Sequence, residues 1–89
     1  MLQVSKKTVG QWLLLSLLAE QRELLERTRQ LEMKYSLGFV DFEKKLHQQE
    51  HEVFGQWDDF IEWQSLNTAL AELRTKIDDV ENGAIRVVD

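Results

Sequence analysis

The chain has no cysteine, no proline and only four glycines among 89 residues. Without cysteine, disulfide stapling and thiolate metal sites are excluded, and a reducing, cytoplasmic setting is the expectation. A proline in a helix interior costs roughly 3 kcal/mol, so the absence of proline leaves long helices uninterrupted. Cationic excess is also lacking: eleven basic side chains stand against sixteen acidic ones, a net charge of −5. That balance argues against direct nucleic-acid binding through phosphate neutralisation and against anionic membrane surfaces. Lys6-Lys7 followed by Trp12-Leu13-Leu14-Leu15-Ser16-Leu17-Leu18-Ala19 has the outline of a signal peptide. However, Leu17 falls where a small residue is wanted, and the helical periodicity runs on into Leu24, Leu25 and Leu31. The apolar run is also far short of the roughly 20 residues a membrane span requires.

What the chain does have is helical periodicity. Positions 14, 17, 21, 24, 28, 31 and 35 form a continuous 3-4 spacing occupied by Leu, Leu, Gln, Leu, Thr, Leu and Tyr. Thr8 and Gln11 fit a capping box, so the pattern predicts a helix over 8–35. Glu23 and Arg27 are spaced as an outward i,i+4 pair, as are Glu72 and Lys76. Gly38 then breaks the pattern. Phe39, Phe42 and Leu46, with Asp41 in the first turn, predict a short amphipathic helix over 39–48. Gly55 marks a second break. Trp63, Leu66, Leu70, Leu73, Ile77 and Val80 continue a seam in a third helix over 56–81, stopped by Asn82-Gly83. The tail 84–89 is flexible or strand-like in this reading.

A single helical domain over 1–89 is expected: an antiparallel hairpin of two long helices joined by a short one. So small a chain has little margin in its core, and self-association is a common aid. Leu13, Leu18 and Leu25 widen the stripe of the first helix beyond a single seam. Dimerisation into a bundle is therefore expected through Leu13, Leu14, Leu17, Leu18, Leu24 and Leu25, with Gln21 and Thr28 fixing register.

The most distinctive stretch is Trp57-Asp58-Asp59-Phe60-Ile61-Glu62-Trp63, with three aromatics and three carboxylates in seven residues. It lies in a window, Leu46 to Leu73, without Lys or Arg. Aromatics carry much of the contact energy at interfaces, and unneutralised carboxylates favour a basic partner. Trp63 is in phase with the seam and is expected to be buried at least partly. Trp57 and Phe60 lie to one side, either as interface or packed on Tyr35, Phe39 and Phe42. Asp58 and Glu62 share a helix face, yet acidic residues in a first helical turn are ordinary. His47-Gln48-Gln49-Glu50-His51 matches H-x-x-E-H, and on a helix His47 and His51 would share a face as zinc ligands do, with Glu50 as base. Exposed Gln and Glu surround it, and a metalloenzyme needs a third ligand and a cleft, so solvated residues are the expected reading. No Ser-His pairing or phosphate-binding glycine loop is present. A non-enzymatic protein without cofactor or metal follows.

Glu32-Met33-Lys34-Tyr35-Ser36-Leu37 with Asp41-Phe42, then Asp58-Asp59-Phe60-Ile61-Glu62-Trp63, resembles a group of short helical prokaryotic proteins. Their pattern is approximately E-x-K-Y-G-M-x-x-x-E-F and later D-D-x-x-E-W. They are known mainly from archaea and cyanobacteria, often encoded beside a small toxin such as the TumE type. The likeness covers the middle third of the chain, with Ser36 where the pattern has Gly. It implies an antitoxin or antitoxin-associated component of a toxin–antitoxin locus, neutralising a small basic partner. It also implies that Tyr35, Phe42, Asp58, Asp59, Glu62 and Trp63 form the shared structural or partner-facing cluster. The other reading is a purely structural homo-oligomeric scaffold subunit.

Overall fold

The computed structural model describes residues 6–83, with side chains over 9–83. It is all-helical among these residues: α1 (Lys6–Tyr35), α2 (Phe39–Gln48) and α3 (Gln56–Glu81). α1 is already helical at Lys6, so Thr8 is not the residue that starts it, and its side chain lies outside the described residues. The tail 84–89 also lies outside them.

Each interruption has a backbone cause. α1 stops after Tyr35 because Ser36 takes a left-handed conformation, φ 55°, which turns the chain out of the helix at a cost of roughly 1–2 kcal/mol for a residue with a Cβ. Gly38 caps α2 from an extended conformation, and its carbonyl accepts the Phe42 amide at 3.0 Å. Gly55 precedes α3 at φ 83°, a position that suits a residue without a side chain. Asp58 and Asp59 occupy the first turn of α3, where negative charge suits the free amides.

α1 and α3 pack against each other along their seams, closed at one end by α2. All seven α1 positions of the predicted 3-4 pattern are buried or half-buried. Thr28, 6% exposed, settles its hydroxyl by donating to the Leu25 carbonyl at 2.8 Å. Two core clusters result. Towards the chain's termini, Leu17 meets Leu73 and Ile77, with Leu13, Leu14, Leu24 and Val80 against them. Towards the closed end, Leu31, Phe42 and Trp63 are each 1% exposed, flanked by Tyr35, Leu37, Phe39, Phe60 and Leu66. Full burial of each such side chain contributes roughly 1.5–3 kcal/mol.

The radius of gyration is 18.2 Å, against about 12 Å for a compact domain of this length. The hairpin is a rod, 63 × 22 × 17 Å, and each long helix has one covered face. One expectation is corrected by this geometry. Leu17, assigned to a dimer interface, is spent inside the hairpin, with Leu13, Leu14 and Leu24 packed onto the same cluster. Gln21 and Thr28 likewise belong to the intramolecular seam. Of the six leucines, Leu18 and Leu25 are the ones left at the surface, 38% and 49% exposed.

Candidate functional site

The acidic-aromatic stretch folds into the closed end of the hairpin, and the structure divides its residues into two groups. Trp63 and Phe42 are core, with ring centroids 5.5 Å apart. Tyr35 tilts over Phe42 at 4.3 Å. Phe60 stacks on Phe39 at 5.5 Å with an interplanar angle of 7°, and Trp57 meets the edge of Phe60 at 5.8 Å. These rings hold α2 in the angle between the long helices, each pair adding about 0.5–1.5 kcal/mol beyond its area. Phe42 and Trp63 are therefore removed from any partner surface, and Tyr35, Phe60 and Trp57 are partly covered.

Two of the three carboxylates are also engaged. Asp59, with a side chain 13% exposed, accepts the Tyr35 hydroxyl and the Lys34 ammonium, the latter at 2.6 Å. Glu62 takes a two-pronged contact from Arg27, 2.5 Å from Nε and 2.7 Å from Nη2. Burial alone would raise the Asp59 carboxyl, but the hydrogen bonds from Lys34 and Tyr35 outweigh it and hold it below its ordinary value. The Arg27 hydrogen bond lowers Glu62 against a smaller effect of burial. Burial raises the Tyr35 phenol, and donation to Asp59 raises it further.

Arg27 and Lys34 are the residues that sequence reasoning missed. The i,i+4 spacing points Arg27 to Glu23; in the structure it crosses to Glu62, thirty-five positions away. The antiparallel arrangement contained the signal, since it sets the basic residues at 27 and 34 opposite the acidic ones at 62 and 59. Asp58 alone of the three points into solvent. It borders a shallow depression of about 380 Å³ with Glu52, Val53, Phe54, Gly55 and Trp57. Phe54 there is fully exposed.

The H-x-x-E-H spacing does not translate into a shared helix face. α2 ends at Gln48, so His47 sits in its last turn and His51 lies beyond it. His47 packs edge-on against Trp57 at 5.6 Å. Among the described residues no group of three His, Cys, Asp or Glu side chains is placed to hold a metal ion.

A second surface lies along one flank of α1. At 100° per residue, Leu15, Leu18, Arg22, Leu25, Arg29 and Met33 share a face beside the seam, with Trp12 at its edge. Trp12 is 68%, Leu15 60% and Met33 67% exposed. Leu18, Gln21, Arg22, Leu25, Glu26 and Arg29 line a groove of about 360 Å³ there. The outward side of α3 presents Gln64, Ser65, Thr68, Ala69 and Glu72 instead, with Ile61 as its one large exposed apolar residue.

No family model, curated protein or solved structure matches this chain significantly. Among the described residues no helix is long and apolar enough to cross a membrane.

Proposed function

We propose that this chain is a non-enzymatic protein–protein interaction module whose working surface is the apolar flank of α1. The observation that supports this reading is the asymmetry of the two long helices. α1 leaves five large apolar residues, Trp12, Leu15, Leu18, Leu25 and Met33, in water along one side, whereas the outer side of α3 leaves one, Ile61, among Gln64, Ser65, Thr68 and Glu72. Scattered exposed apolar residues are normal, but an aligned row of them marks an interaction site. A photo-crosslinking residue placed at Leu18 should form discrete protein adducts in the native cell, while one at Thr68 should not. Equal yields at the two positions would remove the proposal.

A second reading, neutralisation of a small basic toxin-like protein, is favoured by the tip of the α2–α3 loop. Exposed Phe54 lies in that loop beside Glu52, next to Asp58 in the first turn of α3. The window from Leu46 to Leu73 has no Lys or Arg of its own. Since Arg27 and Lys34 occupy Glu62 and Asp59, the docking charges are Glu50, Glu52 and Asp58, with Phe54 as anchor. Co-expression with a small basic protein encoded next door should rescue growth. Rescue undiminished by Phe54→Ala combined with Asp58→Asn would dismiss this docking site.

A further inference from the structure

The flank of α1 carries a charge pattern that selects its occupant. Although the molecule is strongly acidic, this face is balanced: Arg22 and Arg29 alternate with Glu26 and Glu32 among the exposed leucines. A neutral, alternating face does not favour a strongly basic or strongly acidic partner. It does suit a copy of itself, since two chains with excess negative charge can meet there without opposing like charges.

We propose that the occupant is a second copy of this chain, docked antiparallel along α1 about a two-fold axis close to position 24. This rests on the reading of α1 as the interaction surface and adds the identity and register of the partner. On a two-fold perpendicular to the helix pair, a residue a given distance above the axis faces the residue the same distance below it. Arg22 then meets Glu26 of the other copy, and the contact occurs twice. Leu15 and Met33, exposed on the same line of the helix and about 27 Å apart along it, cover each other at the two ends. Leu25, one residue from the axis, lies within about 3 Å along the helix of its own symmetry mate. A parallel arrangement would instead set Arg22 on Arg22 and Arg29 on Arg29, which is repulsive.

The absence of cysteine makes the register directly measurable. The full chain should have in solution twice its 10.5 kDa mass, by light scattering. Arg22→Glu should weaken the dimer by about tenfold or more, and adding Glu26→Arg should restore it, because each swapped charge again faces its complement. Leu25→Cys should oxidise to a covalent dimer, whereas Thr68→Cys, on the outer side of α3, should not. Circular dichroism checks that each variant stays helical. A monomer at all concentrations overturns the proposal, even where Leu18 still crosslinks to a different protein and the interaction reading stands. So does a dimer indifferent to Arg22→Glu, or one that Thr68→Cys links as readily as Leu25→Cys.

Discussion

Asp58 and Asp59 are neighbours of identical chemistry with opposite structural roles, and replacing each by alanine should separate them. Both lie in the first turn of α3, so each loses the same helix-terminus benefit, roughly 0.3–1 kcal/mol. Asp59→Ala also strips the acceptor from the half-buried Tyr35 hydroxyl. Leaving such a donor unsatisfied costs about 1–3 kcal/mol. Lys34 adds little, because its side chain is 60% exposed and returns to water. The total stability of a chain this long is about 4–13 kcal/mol, so the difference is easily resolved. With a urea slope of about 1–1.5 kcal/mol per molar, the midpoint of Asp59→Ala should fall about 1–2 M below that of Asp58→Ala. Followed by helical ellipticity, a cycle with Tyr35→Phe should give a coupling of about 1 kcal/mol, since either change breaks the same bond. Coincident midpoints for the two aspartate variants would refute the assignment of Asp59 as an internal fastener.

Other outcomes follow from the same geometry. Ser36→Gly should raise stability by about 0.5–1 kcal/mol, because Ser36 sits at φ 55°, while Gly55→Ala, at φ 83°, should lower it by at least as much in thermal melts. Acid should weaken the fold: Asp59 and Glu62 are both held below their ordinary values of 3.8 and 4.5. Their contribution is complete above those values and is lost as pH falls through the lower folded ones. Melting temperature should thus drop from about pH 4.5 downwards, less steeply in Asp59→Asn/Glu62→Gln, and equal slopes would count against the pairs.

Much of the hairpin was legible because apolar spacing reports one-dimensional order well. Leu31, Trp63, Leu73 and Ile77 are buried where the 3-4 pattern put them; the break at Gly55 comes from a positive φ that glycine permits, while the one before α2 is made by Ser36 rather than by the extended Gly38. The surplus of leucines on α1 was legible too, but their allocation was not. Periodicity says how wide an apolar stripe is without saying which part of it meets α3, so Leu17 and Leu18 looked alike. The acidic stretch misled for a related reason. Its neutralising partners, Arg27 and Lys34, lie outside the window and become neighbours once the chain folds back. Likewise, the spacing of His47 and His51 implies a common face while the helix continues, and α2 stops one residue after His47.

The two core clusters share no buried residue: Leu17, Leu73 and Ile77 hold one end, and Leu31, Phe42 and Trp63 the other. The molecule is built like a pair of tweezers, with the stacked rings as its pivot and the tips joined by aliphatic contacts. Spreading the tips exposes one cluster and leaves the pivot intact, so amides near Leu31 and Trp63 should exchange more slowly than those near Leu17 and Ile77. A second rod lying from Leu15 to Met33 would span both clusters on the α1 arm. It would act as a splint, making the stiffness of the tips depend on assembly.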